Sequence, residues 1–435
     1  MAEKSFLERR FKLSEHKTTV KTEVMAGITT FMTMSYILAV NPGMLSEAGM
    51  DQGAVFTATI LASALGTILM ALLANYPFAL SAGMGLNAYF TYTVVLNMGH
   101  DWTYALTAVL IEGIIFILMS IFNIREAIFR AIPTTLKKGV SVGIGLFITL
   151  IGLVNAGIII DNPATLISIG DLTAPPALVA IFGLLVIGVL LKKNVRGSLL
   201  IGILASTILA IILGVTNLPT KVFSLPPSLA PIAFKLQWSD IFTKEMFAVV
   251  FAFLFVDIFD TIGTLIGVAT KADMLDENDD LPNLGPALLS DAIATTAGAL
   301  LGTSTVTTFV ESASGVADGG RTGLTSLTTA GLFLLSLFLF PIFAIIPASA
   351  TAPALIIVGL FMMSPVKDIN FDDYTESIPA FLTIAMMPFA YSVAEGIVWG
   401  ITSFVILNLL TGKKEKVSIL MILLAILFMV YKIFG

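Results

Sequence analysis

The chain has 435 residues, 57% of them hydrophobic and only 12% charged, with a mean hydropathy of +0.97 and a formal net charge of −6. Soluble domains run nearer a quarter charged, so this composition excludes a water-soluble globule, and no basic face remains for nucleic acid. With no cysteine there is no disulfide framework, no thiolate nucleophile and no cysteine-bound metal.

Residues 1–23, MAEKSFLERRFKLSEHKTTVKTE, are polar and charged. They lack the short basic region and immediate apolar core of a signal peptide, so no cleavage is expected. Apolar segments follow near 24–42, 54–74, 78–98, 104–123, 139–160, 175–192 and 197–216. A polar, proline-bearing stretch at 217–245 separates them from further segments near 246–270, 286–303, 305–317, 324–347, 352–364, 377–392, 394–412 and 416–434. An uninterrupted run of about 20 residues crosses roughly 30 Å of hydrocarbon as a helix. The expected fold is therefore an all-α polytopic membrane protein.

Positive residues stay cytoplasmic. Arg9, Arg10, Lys12, Lys17 and Lys21 precede the first segment; Arg125, Arg130, Lys137 and Lys138 follow the fourth; Lys192, Lys193 and Arg196 follow the sixth. All three groups fall on one side, which predicts a cytoplasmic N-terminus and a multi-pass protein of the cell membrane, with 217–245 external. The acidic loop 271–280 and Lys413, Lys414 and Lys416 also count as cytoplasmic, and 416–434 is surplus, lying along the interface or crossing once more. RGSLLIGILASTILAIILG from Arg196 resembles EGIVWGITSFVILNLLTG from Glu395, each after a short apolar segment. An odd number of segments per half makes such repeats inverted, 24–216 and 246–412, with 413–435 outside them. This is a plan of secondary transporters that places the substrate near the midplane, where broken helices meet.

Polar residues inside apolar segments are expensive and mark function by default. Three clusters qualify. SAGMGLNAYFTY (81–92) carries Gly83 and Gly85 just before Asn87, a texture that suits broken backbone lining a cavity. Asp257 and Asp260 share one helical face at i, i+3. GTSTVTTFVESASGVADGGRTGLTS (302–326) is too short and too rich in Ser, Thr and Gly for a plain span, with Glu311 in its middle. Blander readings stand beside these: Asp257 and Asp260 sharing a proton or capping a kink, a Glu311–Arg321 ion pair, and a structural Asp318–Arg321 pair. Glu112 reads as a lone helix-packing hydrogen-bonder, and His16 and His100 make no metal site. No GxxxxGK[ST] phosphate loop occurs, and no nucleophile or metal constellation suggests an enzyme. A channel would show a continuous polar face, whereas here the polar residues gather at one depth.

Four stretches carry a specific resemblance: GITTFMTMSYILAVNP (27–42), MGLNAYFTY (84–92), FVDIFDTIGTLIGVA (255–269) and ESASGVADGGRTGLTS (311–326). In order and over nearly the whole chain, they resemble the bacterial and fungal azaguanine-hypoxanthine permeases, purine permeases of the nucleobase-cation symporter and nucleobase-ascorbate transporter group. The resemblance implies fourteen segments in two inverted repeats of seven. Segments one to four and eight to eleven would make a core and the rest a gate. Segments three and ten would each combine a short strand with a half-helix, the purine binding between their ends. It implies site roles for Asn87, Asp257, Asp260 and Glu311. Asp260-Thr261-Ile262-Gly263 and Glu311-Ser312-Ala313-Ser314-Gly315 depart from the signatures of the wider group, which favours purines over xanthine, uracil or ascorbate.

The chemistry fits that reading. Hypoxanthine and guanine are flat and neutral with N–H donors on their edges, which carboxylates accept in charge-assisted bonds. Asn87 offers both donor and acceptor, and Phe309 either stacks on the ring or only packs. The expected function is import of hypoxanthine, guanine and adenine by proton symport, with Asp260 and Glu311 loading the proton and sodium as the second choice of ion. Another nucleobase, or an anion as in sulfate permeases of the same architecture, is the alternative; the latter needs a cationic site, and three carboxylates oppose it. Expected partners are the purine, the proton, the lipid bilayer and a second copy of the chain, with no cofactor, metal or nucleic acid.

Overall fold

Backbone amides in hydrocarbon have no partner but one another, so long runs of Leu, Ile, Val, Phe and Ala close their hydrogen bonds within helices. A computed structural model shows the result for residues 6–122, 124–271, 274–275 and 281–434. A short α1 (Phe6–Phe11) precedes the first span, formed by α2 (Val20–Met34) and α3 (Ile37–Glu47). The second is α4 (Gln52–Leu69), which ends in a π-helical turn. The third joins β1 (Leu80–Ala82), α5 (Met84–Ala88) and a π-helical stretch Tyr89–Asn97. α6 (Trp102–Ile121) is followed by the short α7 (Ile124–Ala131) and by α8 (Thr134–Asn155). The hairpin β2 (Ile159–Asn162) and β3 (Leu166–Ile169), then α9 (Pro175–Lys192) and α10 (Ser198–Ile212), end the first half. The second half runs α11 (Lys244–Lys271), α12 (Leu284–Leu301), β4 (Val306–Thr308) with α13 (Ser312–Ala317), α14 (Gly323–Ser336), α15 (Phe340–Phe343), α16 (Ala348–Met362), α17 (Tyr374–Phe389) and α18 (Val393–Leu410). Last comes α19 (Ile419–Phe434).

Among the described residues, ten helical stretches are long and apolar enough to cross a bilayer. The third and tenth segments are strand plus half-helix, as the resemblance implied. Two details differ from the sequence reading. The helix expected to reach residue 160 stops at Asn155, because Gly157 adopts φ +69° and turns the chain into the β2–β3 hairpin. The first helix begins at Val20, where the Thr19 hydroxyl caps the Thr22 amide. Glu23, counted with the polar N-terminal segment, is thereby buried. Of the loop 271–280 only Met274 and Leu275 have described side chains, and the Arg130 side chain lies outside them.

The two halves are held by matching devices. β1 and β4 pair antiparallel, with Ser81 opposite Thr307 at the centre. Thr67 of α4 accepts from the Leu80 amide (2.9 Å), and Thr295 of α12 accepts from the Val306 amide (3.2 Å), so each strand is clamped at its first residue by the helix before it. An acidic residue also starts the first helix of each half. Glu245 meets His100 at 3.4 Å. Glu23 accepts from the amides of Arg321 (2.9 Å), Thr322 (3.2 Å) and Thr325 (3.3 Å) at the N-terminus of α14, where the helix dipole favours an anion. Removing that acceptor leaves buried donors unpaired, so Glu23→Ala should cost about 1–3 kcal/mol. A lowered unfolding midpoint in detergent, with Glu23→Gln losing less because it keeps an oxygen, is the measurement.

Packing divides the bundle into two bodies. α2, α3, α4, α6, α11, α12, α13 and α14 pack on one another, and α8, α9, α10, α16, α17 and α18 make the second body. Where they meet, Gly85 of α5 lies so near Ile144 of α8 that a Cβ would stand 2.7 Å from its Cγ2. The chain between the halves lies over the ends of the first body, with Gln237 N donating to Thr107 Oγ1 (2.8 Å) and Phe234 N to Leu300 O (2.8 Å). α19 packs along α18, and its Phe428 ring lies 5.3 Å from that of Phe251 on α11, so this last helix bridges the two bodies. Lys413, just ahead of it, sits 2.9 Å from Asp373 and helps to hold that half-buried carboxyl well below the usual range.

Candidate functional site

Between the two bodies lies a cavity of about 390 Å³. From the first body it is lined by the start of α5 (Gly83, Met84, Gly85), by Tyr36, by Asp260, and by the residues leading from β4 into α13, Thr307 to Glu311. Ser141 and Ile144 of α8 and Val358 and Met362 of α16 supply the opposite wall, and Lys137 and Lys138 also border it. Close packing favours glycine at position 83, because a Cβ there would stand 2.6 Å from Thr307 Cγ2, with Asp260 Oδ2 in ordinary contact at 3.5 Å. Two short helices thus begin at the cavity, and backbone that pairs with no neighbour in a plain helix is tolerated because it lines a cavity inside the protein.

Three of the five expected site residues converge here: Asp260, Phe309 and Glu311. Glu311 Oε1 accepts from the Tyr36 hydroxyl (2.7 Å), which sits at the break between α2 and α3. Tyr36 was not anticipated, although it lies within the first resembling stretch. Asn87 is buried on α5 behind the cavity wall, its Nδ2 3.5 Å from Ala82 O and its Oδ1 without a hydrogen bond among the described residues.

Asp257 is not at the cavity either. Residues three apart on a helix differ by about 60° in direction, and that offset sends the two aspartates to different neighbours. Asp257 Oδ2 lies 3.5 Å from Arg125 Nη2, and the same nitrogen lies 3.1 Å from Asp291 Oδ2. Arg125, read from sequence as a cytoplasmic loop cation, is 0% exposed, with its guanidinium carbon 3.8 Å from the Phe116 ring centroid. Its signal in the sequence is indistinguishable from that of any flanking arginine. Asp291 could have been found, since it is a lone carboxylate in an apolar segment just as Glu112 is. Glu112 does hydrogen-bond, but to the chain just before β4 and not to a second helix, accepting from Thr305 Oγ1 (2.8 Å).

The ion pairs expected of Arg321 are replaced by others. Its guanidinium donates to the carbonyls of Val316 and Gly320 (both 2.7 Å). Asp318 instead pairs with Arg196 (2.5 Å), which precedes α10, and so ties the two bodies together. A larger cavity of about 610 Å³ lies between α11, α18 and α19, lined by Phe242, Phe247, Phe251, Phe255 and Phe428 together with polar residues such as Asn97, Ser392 and Glu395. Specific recognition of a flat solute with several N–H donors needs converging acceptors, and of the two cavities only the smaller is bordered by two carboxylates, Asp260 and Glu311.

Two inverted halves, paired strands at the centre and a polar cavity between two packed bodies define a polytopic membrane transporter. The chain belongs to the Permease family of the xanthine/uracil type, whose pattern matches residues 21–399. It is 45% identical over 436 residues to guanine/hypoxanthine permease PbuG of Bacillus subtilis (strain 168), covering 98% of this chain and 99% of that one. To adenine permease AdeP of Escherichia coli (strain K12) it is 44% identical over 428 residues, covering 98% and 96%. In fold alone it is similar to the transmembrane domain of a cyanobacterium bicarbonate transporter, BicA. There the TM-score is 0.66 at 15% identity, covering 87% of this chain and 97% of that one. Murine Slc26a9, an anion transporter captured inward-facing, gives 0.66 at 11% identity, covering 94% and 73%.

Proposed function

We propose that the chain imports purine nucleobases across the cell membrane by proton symport. The observation that carries this is the pair of carboxylates, Asp260 and Glu311, bordering one cavity between two separately packed bodies. A neutral purine presents N–H donors to such acceptors, with Phe309 at the same wall to stack on its face. The relatives named for adenine and for guanine/hypoxanthine are about equally similar to this chain, so the class is proposed and not one member. An anion carrier would place cations where these carboxylates stand. With the ends carrying Lys137, Lys138, Lys192 and Lys193 taken as cytoplasmic, the cavity opens inward and the N-terminus is cytoplasmic.

A neutral substrate brings no charge, so a proton taken up with it offsets one carboxylate charge. An embedded charge costs about 2.5–3.5 kcal/mol on insertion scales, which makes the loaded site easier to move past the second body. The test is uptake of labelled hypoxanthine, guanine and adenine by cells lacking their own permeases, with uracil and xanthine as competitors, at several external pH values. Sodium is replaced by choline, and a protonophore is added in parallel. Uptake should collapse with the protonophore and persist without sodium; the reverse pattern would overturn proton coupling, and competition by uracil alone would overturn the purine assignment.

A further inference from the structure

Beside β4 four charged side chains meet away from solvent: Glu112 from α6, Arg125 from α7, Asp257 from α11 and Asp291 from α12, each 0% exposed. If all were ionised, three negative charges would face one positive charge in a medium that tolerates no such excess. Hydrogen counting reaches the same conclusion. Thr261 Oγ1 lies 2.7 Å from Asp257 Oδ1, 3.1 Å from Asp291 Oδ1 and 2.6 Å from Thr307 Oγ1. A hydroxyl carries one hydrogen and an ionised carboxylate none, so the two hydroxyls fill at most two of the three contacts with a hydrogen each, and a proton on an aspartate would fill the third. Asp257 Oδ2 and Glu112 Oε1 are also buried without a hydrogen bond among the described residues.

We propose that this cluster is a proton-binding site distinct from the purine cavity, joined to it through Thr261 and Thr307. Thr307 borders the cavity together with Asp260, and both flank Gly83. A proton leaving the Asp257 carboxyl is taken by Thr261 as that hydroxyl gives its own hydrogen to Thr307, which gives its hydrogen to water in the cavity, and that water passes one proton to Asp260 on the same cavity wall. Each hydroxyl gains one hydrogen and loses one, and the net change is one proton moved from a cluster carboxyl to a cavity carboxylate. The ion is a proton and not a metal cation because the Arg125 guanidinium already stands 3.1–3.5 Å from both aspartates and would repel one. The inference rests on the proton-symport reading.

The experiment uses the full chain in liposomes, with labelled hypoxanthine. Under an inside-alkaline gradient of about one pH unit, one proton per purine sets about tenfold accumulation, and counterflow with the gradient dissipated measures binding and turnover alone. The unaltered chain should show both. Thr261→Val, which keeps shape and loses the hydroxyl, should keep counterflow and drop accumulation to about onefold; Thr261→Ser should restore it. An unaltered chain that fails to respond to the gradient would overturn symport itself. With symport intact, full accumulation by Thr261→Val would overturn the cluster as the proton site. So would loss of counterflow in Thr261→Val with recovery in Thr261→Ser, since the hydroxyl would then serve binding. If neither variant inserts, Asp291→Asn is measured alike, and unchanged accumulation there overturns the proposal.

Discussion

Glu311→Gln is expected to cut purine uptake roughly 10- to 100-fold while the protein still reaches the membrane, because a hydrogen bond to a charged group is worth about 1.5–3 kcal/mol and each 1.4 kcal/mol is tenfold. A carboxylate offers about four acceptor positions, of which Tyr36 occupies one at 2.7 Å. The amide of glutamine keeps one oxygen but turns its other end into a donor, facing the purine edge donor to donor. Tyr36→Phe should cost less, since it removes only the group that steadies Glu311. Uptake normalised to the amount of protein in the membrane checks both. Normal transport by Glu311→Gln would move the recognition site away from this cavity. Asn87→Ala discriminates further. Asn87 lies behind the wall with its carbonyl oxygen unpaired among the described residues, so a loss of uptake there would mean that α5 turns during binding to present it.

What could be read from the residues, and what could not, follows from how each signal arises. Helix positions were legible because twenty apolar residues in a row have one use. The broken third and tenth segments were legible because Gly83 and Gly85, and the Ser, Thr and Gly of 302–326, cannot make an ordinary lipid-facing span. Glu311 and Asp260 stood out as charges among phenylalanine and leucine. Illegible were the contacts made across the fold. Arg125 looks like any cation flanking a span, and only the placement of α7 against α6 and α11 turns its side chain inward. Asp257 and Asp260 look equivalent in sequence, yet the helix gives one to an ion network and the other to the cavity. Thr261 and Thr307 carry no charge, so nothing in the chain distinguishes them from the many threonines that merely bond to the preceding helical turn. The β2–β3 hairpin was hidden because Ile159 and Ile160 continue the apolar run of α8, and only Gly157 ends the helix.

The largest effect on stability is expected at Arg125. Removing one partner of a buried ion pair costs about 3–5 kcal/mol because the other is left uncompensated, whereas replacing the set by well-packed apolar groups is often neutral. Arg125 is the cation that faces Asp257 and Asp291 (3.5 and 3.1 Å), donates to the Leu288 carbonyl (3.1 Å) and lies over Phe116. Arg125→Met keeps much of the length and apolar stem and removes the charge. Its unfolding midpoint in detergent should fall steeply, and α6, α7, α11 and α12 should loosen together, since each contributes a member or a wall of the cluster. Asp291→Asn alone should cost less, because Asp257, 3.5 Å away, balances the guanidinium once it gives up its proton. The double variant Arg125→Met with Asp291→Asn is the decisive one. If the arginine acts by compensating buried carboxylates, the second change should recover part of the first, giving an interaction energy of about 0.5–3 kcal/mol in the cycle. If the two losses simply add, the arginine serves by packing on Phe116 and capping Leu288, and the carboxylates are already neutral without it.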